Sequence, residues 1–499
     1  MSYLPYEEPG IVTILSLTSF LILLNIVRYL LDRLVYCGII GEILIGVVWG
    51  LPIGGYAWLS KSAQETIQML GFLGLIAIVF EGGLNTDFAM LRKAAFLSVS
   101  VATVGLLLPI ALSFVLLVLP FPTSSGPTLF PTPLAAFSSG ASLCSTSLGT
   151  TFAILTSSNL QDTPVGALLI GAAMLDDVVG LVMVNIITML GSGRFAAWPI
   201  SRPIVASFGM LLMTLLLTPI VLKPIWVVIA NYLHPVESER NTNSFRTRIS
   251  GMVLALPHLR FLLSLLVLIS FVSIASFIDA SELLAAFLAG GVFRVIYCSS
   301  ITILHPSTSV EETPSMMYAV YFQPTIQTVL APFFFASIGF SIPISEMFTG
   351  QIVWKGLLYT ILMALAKGSV SVVIYFDYFR VIWCRERKKL QTTSVQQQTY
   401  QETNTRSRTG PPHAAAILVG LAMIARGEIG FLIASLSQSS NTLTLKSDEG
   451  LNIESNKEDL FLVIVWAITL CTIIGPLGVG IMIKRLGEHA KESLTINWL

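Results

Sequence analysis

The chain has 499 residues, 54% of them hydrophobic and only 11% charged, with mean hydropathy +0.80 and a formal net charge of zero. Soluble domains carry about 25% charged residues, so these figures exclude a soluble globular protein and point to a polytopic membrane protein. The balanced charge gives no electrostatic basis for a nucleic-acid partner.

Apolar runs between charges predict about 13 spans, at 11–31, 38–58, 66–86, 95–119, 129–157, 164–191, 203–232, 261–279, 281–298, 319–344, 352–376, 413–437 and 459–483. The opening Met-Ser-Tyr-Leu-Pro-Tyr-Glu-Glu lacks a basic n-region and a cleavage site, so the first span is expected to act as the signal. Asp279 and Glu282 split the apolar stretch 261–298 into two spans. With the N-terminus outside, twenty of the 28 lysines and arginines fall in inner connections and six in outer ones. The positive-inside rule then sets the N-terminus out and the C-terminus in, with an odd number of spans. The expectation is one all-α membrane domain over 1–485. Within it, the polar insert 384–412 reads as a disordered cytoplasmic loop, and 486–499 as a short cytoplasmic tail.

The span 129–157 is crowded with proline, glycine and hydroxyl residues. Irregular backbone at membrane depth is tolerated where it lines a cavity or is buried in protein. A break here would free carbonyls, and the hydroxyls of Ser145, Thr146, Ser147 and Thr150, to coordinate a cation. The competing reading is a small-residue helix that packs closely.

The next span carries Asp176 and Asp177 in an otherwise uncharged stretch from Thr163 to Gly193. A carboxylate at bilayer depth costs roughly 2.5–3.5 kcal/mol on insertion scales. Two in succession call for a cation, a proton or a fixed positive charge. Adjacent helical residues point about 100° apart, so one is expected to face the broken span and the other Lys367. That lysine is a further midplane charge, in span 352–376. The span 413–437 holds Arg426, Gly427, Glu428 and Gly430 mid-run and reads as a second interrupted helix, opposite in direction to the first. Two such helices mark an inverted-repeat transporter with a midplane site. Arg426 and Glu428 read as a structural ion-pair network around the break, with Glu81 as a candidate partner. The five histidines (His234, His258, His305, His413, His489) fall on the inner side and read mainly as loop residues. The five cysteines (Cys37, Cys144, Cys298, Cys384, Cys471) are scattered, without a disulfide or metal pattern. No nucleophile or metal-ligand constellation suggests an enzyme or a cofactor.

Several stretches together resemble the monovalent cation–proton antiporter superfamily over nearly the whole chain. They are Gly-Glu-Ile-Leu-Ile-Gly (41–46), Phe-Glu-Gly-Gly-Leu (80–84), the Ser/Thr-rich broken span, Leu-Asp-Asp-Val (175–178) and Leu-Leu-Ala-Ala-Phe-Leu-Ala-Gly-Gly (283–291). Pro-Phe-Phe-Phe-Ala-Ser-Ile-Gly-Phe (332–340), Ala-Lys-Gly (366–368) and Ala-Arg-Gly-Glu-Ile-Gly (425–430) complete the set. The branch they resemble is the double-aspartate one, which includes bacterial sodium/proton antiporters and Kef-like proteins. The resemblance implies a core domain of crossed broken helices, a dimerisation domain and a homodimer. It implies that Asp177 binds both cation and proton and that Lys367 pairs with Asp176. The function expected is exchange of Na+, K+ or Li+ for protons. The alternative is a Kef-like potassium efflux protein or a cation channel, although the sequence shows no selectivity filter and no Gly-x-Gly-x-x-Gly nucleotide-binding segment after the last span.

Overall fold

The computed structural model describes residues 8, 10–35, 37–86, 88–121, 129–158, 160–161, 163–192, 197–224, 257–304, 318, 320–392, 413–440, 442–447 and 457–495. Nearly all of it is helix, as a lipid-embedded chain requires, because only internal hydrogen bonds satisfy the backbone there. The first half comprises α1 (Ile11–Val35), α2 (Ile39–Trp49), α3 (Lys61–Asn85), α4 (Phe88–Ser113), α5 (Pro133–Ser142), α6 (Leu148–Ser157), α7 (Pro164–Ser192) and α8 (Ala197–Leu217). There follow α9 (Pro257–Ile278), α10 (Glu282–Leu304), α11 (Ala331–Phe340), α12 (Gly350–Gly368), α13 (Val370–Thr392), α14 (His413–Ala422), α15 (Glu428–Ser439) and α16 (Lys457–Thr495). Among the described residues, seven helical stretches are long and apolar enough to cross a bilayer, α12 and α13 together forming one of them over Gly350–Arg380. The protein is an integral, multi-pass membrane protein.

Every expected span overlaps a helix or an interrupted helix pair, and three boundaries differ from the sequence reading. The expected span 38–58 is helical only to Trp49. At about 1.5 Å per residue its eleven residues cover only about half the bilayer core. Gly50 and Pro52 end the helix, and Gln64 of α3 holds the turn that follows, accepting from Leu51 N (3.2 Å) and donating to Gly55 O (3.0 Å) and Leu59 O (2.9 Å). The polar insert begins later than expected. Residues 384–392 continue α13, because Arg, Glu, Lys and Gln are good helix formers, and 393–412 lie outside the described residues. The C-terminal tail likewise continues α16 as far as Thr495.

The glycine motifs resolve into packing seams. A Cβ on Gly83 would overlap the Phe287 carbonyl and one on Gly290 the Phe80 carbonyl, so Phe-Glu-Gly-Gly-Leu and Phe-Leu-Ala-Gly-Gly let α3 and α10 touch backbone to backbone. Gly46 against Ala336 and Gly339 against Ile43 do the same for α2 and α11.

The order helix, broken helix, helix occurs twice: α4, α5/α6, α7, and then α12–α13, α14/α15, α16. A two-stranded sheet fixes the relative direction of the broken pairs. Strand β1 (Leu129–Pro131) leads into α5, and β2 (Leu445–Ser447) follows α15; they pair antiparallel with Leu129 opposite Ser447 and Pro131 opposite Leu445. Thr132 N donates to Thr444 O (3.1 Å), and the two threonine hydroxyls are 3.0 Å apart. The start of the first broken helix and the end of the second therefore share one face of the molecule, and the two run in opposite directions.

Candidate ion-binding site

Each broken helix is interrupted for five residues. Between α5 and α6 lie residues 143–147, and Ser147 caps α6 by accepting from Thr150 N (3.3 Å). Between α14 and α15 lie residues 423–427, ending in Gly427 in an extended conformation. The two breaks cross in contact. Ser147 N donates to Ala425 O (3.1 Å), and Arg426 Nη1 donates to Ser145 O (2.7 Å). Thr472 of α16 donates to Arg426 O (2.9 Å). Four helix ends converge here, the carbonyl ends of α5 and α14 and the amide ends of α6 and α15, so partial charges of both signs meet in a buried volume.

α7 passes this crossing, and its two aspartates part company. Asp176 is fully buried, and its Oδ2 receives Lys367 Nζ (2.8 Å) and Thr146 Oγ1 (2.6 Å). Lys367, also fully buried, donates in addition to Thr146 Oγ1 (2.9 Å). Lysine, aspartate and threonine thus form a closed triangle linking α12, α7 and the first break. Asp176 therefore meets both the broken span and the lysine, where the sequence reading divided those roles between two aspartates. The cause is that Thr146 lies beside Lys367, so one side chain reaches both.

Asp177 points elsewhere. Its Oδ2 accepts from Ser281 Oγ, on the residue just before α10. Asp177 is 3% exposed, and among the described residues no lysine or arginine pairs with it. Nothing local in the sequence identified Ser281, because the contact joins residues more than a hundred positions apart. The available signal was only that a serine before Glu282 and an apolar run suits a helix N-cap.

The remaining expected residues divide. Ser147 and Thr150 are buried beside the crossing but are used in the α6 cap, Thr150 Oγ1 donating to Ser147 O (3.1 Å); neither contacts an aspartate through a hydrogen bond among the described residues. Arg426 is fully buried, and its Nε and Nη2 have no hydrogen-bond partner among the described residues. The expected Arg426–Glu81 pair is not formed. Glu81 sits near the far end of α3 and accepts instead from Gln323 Nε2 (3.0 Å). The side chain of Glu428 lies outside the described residues. His413 opens α14 and hydrogen-bonds Tyr375 (2.7 Å); the side chains of the other four histidines lie outside the described residues. A cavity of about 350 Å³ opens beside Glu81 and Gln323, between Arg28, Ile78, Ser157 and Pro476. Neither Asp176 nor Asp177 lines it.

Comparison with known proteins places the chain among relatives. The high-affinity Na+/H+ antiporter NhaS3 of Synechocystis is 29% identical over 172 residues, 34% of this chain and 35% of that one. The Na+/H+-K+ antiporter GerN of Bacillus cereus is 22% identical over 446 residues, 89% of each chain. An Na+/H+ antiporter of Enterococcus hirae is 22% identical over 408 residues, 81% of this chain and 84% of that one. The structure of the sodium proton antiporter MjNhaP1 from Methanocaldococcus jannaschii aligns with a TM-score of 0.52 at 16% identity, covering 97% of this chain and 99% of that one, and shows a shared fold. A family profile described as "Sodium/hydrogen exchanger, transmembrane" matches residues 16–485, and the chain belongs to that family.

Proposed function

We propose that the protein exchanges a monovalent cation, Na+ foremost and K+ or Li+ as further candidates, for protons by alternating access at Asp177. The observation that carries this reading is the difference between the two aspartates. Asp176 already has its counterion in Lys367. Among the described residues, Asp177 has only a hydroxyl. A buried carboxylate without a fixed cation is costly when ionised and alone. It is relieved either by a proton or by a small cation from solution, and the two compete for the same oxygens. That competition is the chemistry of an antiporter. The names of the relatives support it, and so does the dipole-lined crossing beside the pair.

Asp176, Thr146 and Lys367 serve in this reading as the fixed electrostatic frame of the site, with Ser147 and Thr150 shaping the break from which carbonyls reach the cation. Arg426 neutralises the carbonyl ends that meet at the crossing. The 13-span, N-out and C-in topology and the homodimer belong to the same proposal. The exposed apolar flanks of α1 and α8 supply faces for lipid and for a second copy. The described residues offer no separate support for a Kef-like efflux protein or channel.

The test is transport by purified protein in liposomes containing a pH dye. Addition of Na+, Li+ or K+ to the wild type is expected to dissipate an imposed pH gradient, and Asp177→Asn is expected to abolish the response. Absence of any response to all three ions, or full exchange in Asp177→Asn, would refute the proposal.

A further inference from the structure

The turn that delivers Ser281 to Asp177 is unusually constrained. α9 ends with Ala280 N donating to Ala275 O (2.9 Å) and Asp279 N to Ser276 O (3.4 Å), the paired bonds of a Schellman motif. The left-handed position of that motif normally holds glycine, yet here it holds Asp279 at φ 59°. Aspartate tolerates this conformation better than most residues. It is also held from outside, because Arg202 of α8 forms an ion pair with it (2.7 Å). Two residues further on, Ser281 N donates to Ser207 Oγ of α8 (3.1 Å). Ser281 Oγ accepts from Leu284 N (3.1 Å), capping α10, and directs its own proton at Asp177 Oδ2. Ser207 and Ser281 are each 1% exposed. A continuous chain of polar contacts therefore runs from an exposed ion pair to the carboxylate of the ion site.

The chain joins two groups of helices. α10 packs chiefly along α3 and α9, whereas α7 packs chiefly along α4 and then about equally along α15 and α8; direct contact between α7 and α10 is small. The Ser281 hydroxyl offers Asp177 a proton donor, and a donor cannot also be a cation ligand along the same direction. A cation that approaches Asp177 Oδ2 along that direction displaces it.

We propose that Ser281 is a positioning residue that lowers the cation affinity of Asp177 by holding its empty carboxylate against the start of α10. Cation entry then breaks this polar link between the two helix groups, so that loading the site loosens α7 against α10. The inference rests on the reading of Asp177 as the cation-binding carboxylate.

The test separates the hydroxyl's contact with Asp177 from its capping role. Glycine is tolerated at a helix N-cap but offers no donor, whereas threonine keeps both functions. Initial rates of Na+-driven proton movement are measured in liposomes against Na+ concentration, with the Na+ side held alkaline enough that no proton competes for Asp177. Ser281→Gly is expected to lower the KM for Na+ on the order of tenfold, the scale of one hydrogen bond to a charged group, without a matching rise in maximal rate. Ser281→Thr is expected to restore the wild-type KM. Arg202→Gln, a surface change that loosens the turn, is expected to lower KM by a smaller factor, and it provides the reading if the glycine variant folds poorly. An unchanged or raised KM in folded Ser281→Gly, or in Arg202→Gln where the glycine variant does not fold, would overturn the proposal, as would failure of Ser281→Thr to restore it. Exchange that persists in Asp177→Asn would instead remove the ion-site reading, whatever the Ser281 variants do.

Discussion

Lys367→Gln separates a structural counterion from a bystander. The Lys367–Asp176 pair is 2.8 Å long, and both side chains have no exposed surface. Removing one partner of such a pair leaves an uncompensated buried charge, a loss of roughly 3–5 kcal/mol. Thr146 still donates to Asp176 Oδ2 at 2.6 Å, which places the expectation at the lower end. A loss of that size corresponds to a fall in Tm on the order of 5 °C for a chain of several hundred residues. The assay is thermal unfolding in detergent for wild type, Lys367→Gln, Asp176→Asn and the double variant. The double variant should recover most of the loss, because both changes act on one interaction. No Tm deficit in Lys367→Gln, or a double variant no more stable than Lys367→Gln, would show that the pair does not carry this energy.

Thr146→Val removes the hydroxyl that both receives Lys367 and serves Asp176; a loss of about 1–3 kcal/mol in unfolding stability is expected, and an unchanged Tm would contradict the triangle. Gly83→Ala places a methyl group against the Phe287 carbonyl, so a loss of roughly 1–3 kcal/mol from overpacking is expected in the same unfolding assay; normal stability would mean that α3 and α10 part easily. A cysteine at exposed Lys61 should react with an impermeant thiol reagent from outside, and one at exposed Arg33 only from inside; the reverse pattern would invert the topology.

The parts of this architecture that were legible in the sequence are those with a local cause. Prolines, glycines and hydroxyl residues in 129–157 and Arg-Gly-Glu in 426–428 announced the two breaks. Asp176 and Asp177 stood out because nothing else in their span is charged. The shortness of α2 was less visible, since Leu51 and Ile53 continue the apolar run and only Gly50 and Pro52 mark its end. What escaped was long-range. The register of Leu129 on Ser447 and the bond from Ser281 to Asp177 depend on how distant segments meet, which no window of sequence contains. The expected partnership of Arg426 with Glu81 failed for the same reason. Depth in a span does not say which neighbour a side chain reaches, and Gln323 reaches Glu81 instead.

In the proposed exchange, cation and proton compete for Asp177. The most direct measurement adds Na+ to purified protein in weakly buffered detergent solution and follows proton release with a pH dye. The wild type is expected to release protons on Na+ addition, with less release as the starting pH is raised far above the range in which Asp177 holds its proton, and Asp177→Asn is expected to release none. Equal release from Asp177→Asn and wild type would contradict this competition.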